Sequence, residues 1–157
     1  MASTLVLGLG NPLRGDDGVG PLVISMLRQH MLAPEVVVVD GGCPGLETLL
    51  IWQGYQRVII VDAADMDLDS GQWRRFTLEE AGLPVEQEPS NGTLHTAGLA
   101  EALELAEALE LLPPELIFYG IQPGSMRWEQ KISPNAQSAV ASVCEAILFE
   151  LNGTQET

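Results

Sequence analysis

The 157 residues hold one domain's worth of core, and 46% hydrophobic against 18% charged residues argues against long disordered stretches. Seven Lys and Arg against 22 Asp and Glu leave a net charge of −15, which repels nucleic-acid backbones and anionic membrane surfaces and favours a basic or metal-bearing partner. No apolar run approaches the roughly 20 residues of a bilayer span, the N-terminus lacks the basic region of a signal peptide, and two cysteines make no disulfide framework, so a reducing cytoplasm is expected.

Thr4 to Leu9 (TLVLGL) reads as a short buried strand closed by Gly and Asn. A loop from Gly10 to Gly20 leads to a helix over about Pro21 to Met31, with Pro21 suited to the first helical position. Glu35 to Val39 is a second strand, whose four consecutive valines call for cover on both faces, as in a parallel sheet. It ends at Asp40 and the loop GGCPG, before a helix over about Leu46 to Gln53. Arg57 to Val61 is a third strand, ending at Asp62.

The more polar stretch Gln72 to Thr77, after the turn-like Asp69-Ser70-Gly71, reads as an exposed edge strand running antiparallel, and Gly82 to Thr93 reads as an irregular loop. From Thr96 to Leu112, Leu99, Ala102, Leu103, Leu105, Ala106 and Leu109 share one arc of a helical wheel, with Glu101, Glu104 and Glu107 outside it and Pro113-Pro114 as the stop. Leu116 to Ile121 is another inner strand, and Ser133 or Asn135 caps a final helix to about Leu151, leaving 152–157 as a disordered tail. Five strands alternating with amphipathic helices predict one domain over residues 1–157: a three-layer α/β/α fold around a twisted, mainly parallel sheet.

In such a sheet, ligands bind outside the carboxyl ends of the strands. Three inner strands deliver a carboxylate there: the first opens into Gly15-Asp16-Asp17-Gly18, the second ends in Asp40 and the third in Asp62. His95 precedes the long helix on a loop able to swing to the same edge. Carboxylates with an imidazole suit Ni, Zn, Fe or Mn, or general acid–base work. Taken singly, Asp16 and Asp40 read more simply as turn or cap residues, and His95 as a loop histidine; the joint placement is what favours a site. Gly8-Leu9-Gly10 hints at a dinucleotide fingerprint, but position 13 is Leu, and Asp16-Asp17 would repel a pyrophosphate. Cys43 has no basic neighbour to lower its pKa and reads as a small buried thiol rather than a nucleophile, and His30 as structural or solvent-facing. The signatures G-x-S-x-G and HExxH are absent.

GLGNPLRGDDGVG at Gly8 to Gly20, DGGCPG at Asp40 to Gly45, VIIVDAAD at Val58 to Asp65 and GIQPGS at Gly120 to Ser125 together resemble the hydrogenase maturation endopeptidases, in collinear order over nearly the whole chain. The resemblance implies removal of a C-terminal extension from the precursor of the [NiFe]-hydrogenase large subunit once nickel is inserted. It also implies a five-stranded sheet between helices. It places the metal-binding and catalytic trio on Asp17, where some members carry Glu and others Asp, on Asp62 and on His95. These would engage the nickel of the partly assembled subunit, a cofactor brought by the substrate with no organic cofactor needed, and the scissile peptide would lie beside it. Asp40 and Asp16 are candidates for orienting a ligand or the substrate backbone. Two rivals stand beside this reading. One is a nickel-sensing or chaperone-like module that grips the large subunit without cutting it. The other is a peptidyl-tRNA hydrolase, which also opens with GLGNP but needs a histidine where this chain has LRGDDGVG.

Overall fold

Alternation along the strands builds the layers. In β1 (Thr4–Gly8), β3 (Arg57–Ala63) and β5 (Glu115–Ile121), Val6, Ile59, Val61, Ile117 and Tyr119 face one core, while Leu5, Leu7, Val58, Ile60, Leu116 and Phe118 face another. The first core is closed by α1 (Val19–Leu27) and α5 (Pro134–Gln155), through Val23, Leu27, Val140, Val143 and Ile147. The second is closed by α2 (Leu46–Ile51) and α4 (Ala97–Ala108), through Leu49, Leu99, Leu103 and Ala106, with Trp52 beside them. The computed structural model describes residues 3–81 and 97–155, so the expected loop from Gly82 to Thr93 lies outside the described residues, as does His95.

The five-stranded sheet has the order β2-β1-β3-β5-β4, with β2 (Val36–Asp40) and β4 (Trp73–Thr77) at the edges and α3 (Leu78–Ala81) following β4. All pairings are parallel except β4 with β5, the antiparallel edge expected from its polar sequence. The valines of β2 pack against both cores, as foreseen, but they are only half-buried because the strand's outer edge is open. No helix among the described residues is long and apolar enough to cross a membrane.

Helix ends differ from the sequence expectation for local reasons. α1 starts at Val19, so Pro21 is its third residue, still inside the first turn where N–H groups lack helical partners. It stops at Leu27 because nothing beyond packs: the N–H groups of Gln29 and His30 donate three residues back, to Met26 and Leu27, and Met31 is fully exposed. α2 likewise closes at Ile51, two residues short of Gln53. α4 ends before Pro113-Pro114, by a left-handed Glu110 at φ 58°: Leu111 N–H donates to Ala106 O at 2.7 Å and Glu110 N–H to Glu107 O at 3.1 Å. Leu109, placed on the buried arc by periodicity, is 55% exposed, since that turn overhangs the core. α5 is capped by Ser133, whose Oγ accepts the Ala136 N–H at 3.3 Å. It runs to Gln155 rather than Leu151, so residues 152–155, expected in the tail, continue the helix; buried Leu151 anchors that last turn.

A partly exposed polar bridge joins β4, β5 and α5. Arg75 donates to Glu150 through Nε at 2.9 Å and through its terminal nitrogen at 2.7 Å, and the Tyr119 hydroxyl donates to the same carboxylate. Burial pushes the Tyr119 phenol far above its ordinary value, and the bond to Glu150 adds to this. For Glu150, burial acts upward but the Arg75 and Tyr119 hydrogen bonds outweigh it, holding the carboxyl below its ordinary value. A depressed carboxyl stabilises the fold fully above its unfolded value, near 4.5, and loses that contribution as pH falls through the folded one. Glu150→Gln is therefore expected to cost about 1–2 kcal/mol at pH 7, kept low by the exposure of Arg75, with the gap closing below pH ~4.5; urea unfolding of both proteins across pH checks this. Glu110→Gly is expected to stabilise the chain by about 0.5–1 kcal/mol, read by the same unfolding curves, because glycine takes the left-handed α4 terminus without strain.

Candidate functional site

The site is built where β1 and β3 part company. From β1 the chain crosses to β2 on one side, whereas β3 leads toward β5 on the other, so the crevice between the ends of β1 and β3 is the sheet's topological switch. Register pairs Gly8 with Val61, leaving Asp62 one residue beyond the last β1 partner and opposite Gly120 of β5. Asp62 is 6% exposed at this carboxyl edge.

Asp17 arrives from the other side. After Gly8 the chain winds through Asn11 into a 3-10 turn over Gly15–Gly18, which packs against β3. The winding is self-tied: Asp17 Oδ2 accepts the Asn11 N–H at 2.9 Å, Asn11 Oδ1 accepts that of Leu13 at 2.9 Å, and the Asp17 N–H donates to Arg14 O at 3.0 Å. Gly10 makes this closure possible. Its φ is +132°, and a Cβ there would sit 1.9 Å from Asp17 O, so no side chain fits. Asp17 remains half-buried, with Oδ1 not needed for the loop's closure.

Its neighbour Asp16 points elsewhere. It is 1% exposed; Oδ2 accepts the Gly124 N–H at 2.7 Å and the Ser133 hydroxyl at 2.9 Å, and Oδ1 accepts the Ser133 N–H at 2.8 Å. Asp16 thus locks the first loop to the β5–α5 connection, as a cap-type residue. Asp40 also follows the simpler reading. It is exposed at the end of β2, and its Oδ1 accepts the Gly42 N–H at 3.1 Å in a two-residue turn. That turn still bears on the site, because Gly42 O accepts the Gly10 N–H at 2.9 Å. Among the described residues no three His, Cys, Asp or Glu side chains cluster at metal-holding distance; the expected third ligand, His95, lies outside them.

Two further residues depart from or add to the sequence reading. Cys43 is exposed rather than buried, because its loop follows an edge strand and nothing packs over it; Cys144 is the buried thiol, its pKa pushed up first by burial and then by Glu145. Gln122, inside the GIQPGS stretch, is 7% exposed and accepts through Oε1 the N–H groups of Met66 at 2.6 Å and Leu68 at 3.2 Å, while Nε2 donates to Asp65 at 3.2 Å. It holds the loop that leaves Asp62, a role visible only from contacts more than fifty positions apart.

Comparison with known proteins places this arrangement. A family model described as HycI, hydrogenase maturation protease, matches residues 21–150. The hydrogenase expression/formation protein HoxM of Cupriavidus necator is 34% identical over 120 residues, covering 76% of this chain; the chain spans only 58% of HoxM. The Methanocaldococcus jannaschii protein MJ0253 is 31% identical over 160 residues, covering 94% of this chain and 95% of its own length. Among solved structures, the hydrogenase maturating endopeptidase HybD of Escherichia coli superposes with a TM-score of 0.82 at 26% identity, covering 97% of this chain and 93% of HybD. The hydrogenase 2 maturation peptidase of a Thaumarchaeota archaeon gives 0.72 at 31% identity, covering 95% and 97%. The family match covers β2 to β5 and Asp62 and begins after β1 and the Asp17 turn, and the chain belongs to the hydrogenase maturation protease family.

Proposed function

We propose that the chain is an endopeptidase that removes the C-terminal extension of a nickel-loaded [NiFe]-hydrogenase large-subunit precursor, with Asp17, Asp62 and His95 gripping the substrate's nickel. Beside the family match, the observation that carries this reading is that the turn bearing Asp17 packs against β3, whose end carries Asp62, at the switch crevice. Two carboxylates and an imidazole form a mixed oxygen and nitrogen donor set of the kind that suits nickel. The donors are incomplete by themselves, so the substrate's own nickel supplies a checkpoint: a precursor without metal offers these three side chains nothing to hold. Asp40 acts as a positioning residue, because its turn on Gly42 supports Gly10 and, through Gly10, the Asp17 loop.

The test is the mass of a nickel-loaded large-subunit precursor before and after incubation with the protein. Loss of the tail with wild type supports the protease reading. A stable complex with unchanged mass would instead make the chain a binding module. Asp62→Asn and His95→Ala are expected to retain wild-type thermal unfolding yet abolish processing, and Asp17→Glu to process, as the resemblance to members with Glu implies. Asp16→Ala behaves differently: it strands the Ser133 and Gly124 donors and is expected to cost about 2–4 kcal/mol of stability, seen in denaturant unfolding. Wild-type cleavage by both Asp62→Asn and His95→Ala would overturn the site.

A further inference from the structure

Of the seven cations in the chain, Arg14, Arg127 and Lys131 lie on the two loops that frame the candidate site, 11–14 and 123–131. The loops are laced together: Glu129 N–H donates to Leu13 O at 2.8 Å, Gly15 N–H to Gln130 O at 3.1 Å and Asp16 N–H to Ser125 O at 2.8 Å. On this rim Leu13 is 65% exposed, Trp128 63% and Met126 38%, an apolar patch that the two cores leave uncovered. The Arg14 guanidinium lies 5.4 Å from the centre of the Trp128 ring. Its Nε is buried without a hydrogen-bond partner among the described residues, and the guanidinium is held against the ring. Glu129 on the same loop and Asp17, three residues after Arg14, are the acidic neighbours in sequence, while Asp16 is consumed by its three hydrogen bonds.

In a protein of net charge −15, a basic and apolar rim against the candidate site is a surface complementary to an acidic partner. We propose that this rim docks an acidic segment of the large-subunit precursor bearing apolar side chains: carboxylates against Arg14, Arg127 and Lys131, and an apolar side chain against Leu13, Met126 and Trp128. This rests on the proteolytic reading and adds to it a second contact, independent of nickel. A peptide fits better than a nucleic acid. A phosphate backbone demands a longer basic track and would meet the field of −15, whereas three cations with apolar neighbours match one or two carboxylates between apolar side chains.

The probe is a twelve-residue peptide alternating Glu and Leu, with a Gln–Leu peptide of equal length as its neutral control, titrated into the full chain and read by tryptophan fluorescence. The Glu peptide is expected to bind, to weaken with salt, and to lose about tenfold in affinity in the double variant Arg127→Glu, Lys131→Glu, whose two positions are exposed. Arg14→Lys keeps the charge but loses the flat stacked donor set, and is expected to weaken binding as well. Equal binding of the two peptides, or no change in the double variant, overturns the proposal. So does tighter binding of a twelve-nucleotide single strand, or a concentration-dependent dimer that the double variant abolishes, which would seat the acidic α4 of a second copy on the rim. With the precursor itself, the double variant should raise KM about tenfold at unchanged kcat. Processing with unchanged KM sinks the docking and leaves the protease standing; peptide binding with an uncut precursor sinks the protease and leaves the docking.

Discussion

The carboxyl edge of this sheet is organised around one buried charge. Asp16 has almost no contact with water, and an ionised carboxylate removed from water costs several kcal/mol unless its lone pairs are taken up. Here they are, by two backbone N–H groups and a hydroxyl, and one of those residues, Ser133, is the cap of the 22-residue helix α5. The positive end of that helix adds further stabilisation to the charge. The consequence is mechanical. Three segments that are remote in sequence, the loop after β1, the turn after β5 and the start of α5, are fixed relative to one another by a single side chain.

That fixing separates the two aspartates of the Gly15–Gly18 turn. In a 3-10 helix successive side chains diverge by about 120°, so two adjacent carboxylates cannot serve the same place. Asp16 turns inward and is spent on the fold. Asp17 is left at the crevice, steadied by Asn11. The same turn that stabilises the loop packs against β3, whose Asp62 lies one residue past the last β1 pairing.

Much of this was legible in the sequence, for identifiable reasons. Apolar runs such as Val58 to Val61 report a central parallel strand directly, and a polar stretch such as Trp73 to Thr77 reports an edge. The position of Asp62 was legible because the residue that ends such a run lies at the sheet's carboxyl edge. What escaped depends on pairings no window contains. Asp16 meets Gly124 and Ser133, 108 and 117 positions away, so as a bare sequence it is indistinguishable from any turn aspartate. Helix ends escaped for a different reason: α4 stops at a left-handed glutamate, a residue with no intrinsic preference for that conformation, which is held there by the bond from Leu111 to Ala106 and by the Trp52 indole donating to Leu111 O at 3.1 Å. Cys43 went astray because burial of a loop residue depends on its neighbours in space, and an edge strand has few.

The fold's division of labour follows from the same topology. Burial is concentrated in the two cores, and the Arg75–Glu150–Tyr119 bridge ties the antiparallel edge to α5. The carboxyl edge is instead made of turns, glycines in close approach and carboxylates withdrawn from water, features that cost stability wherever they are not satisfied by one another. A site of that kind holds its shape only if every loop is tied to a rigid element. Gln122 ties the loop after Asp62 to β5, Asp40 and Gly42 tie the loop after β1 to β2, and Asp16 ties it to α5. Each tie ends on a strand or on the start of a long helix, so the crevice inherits the rigidity of the sheet although loops line it. A substrate engaging this edge would then meet donors whose positions are set before it arrives, and would not have to supply the energy of assembling them.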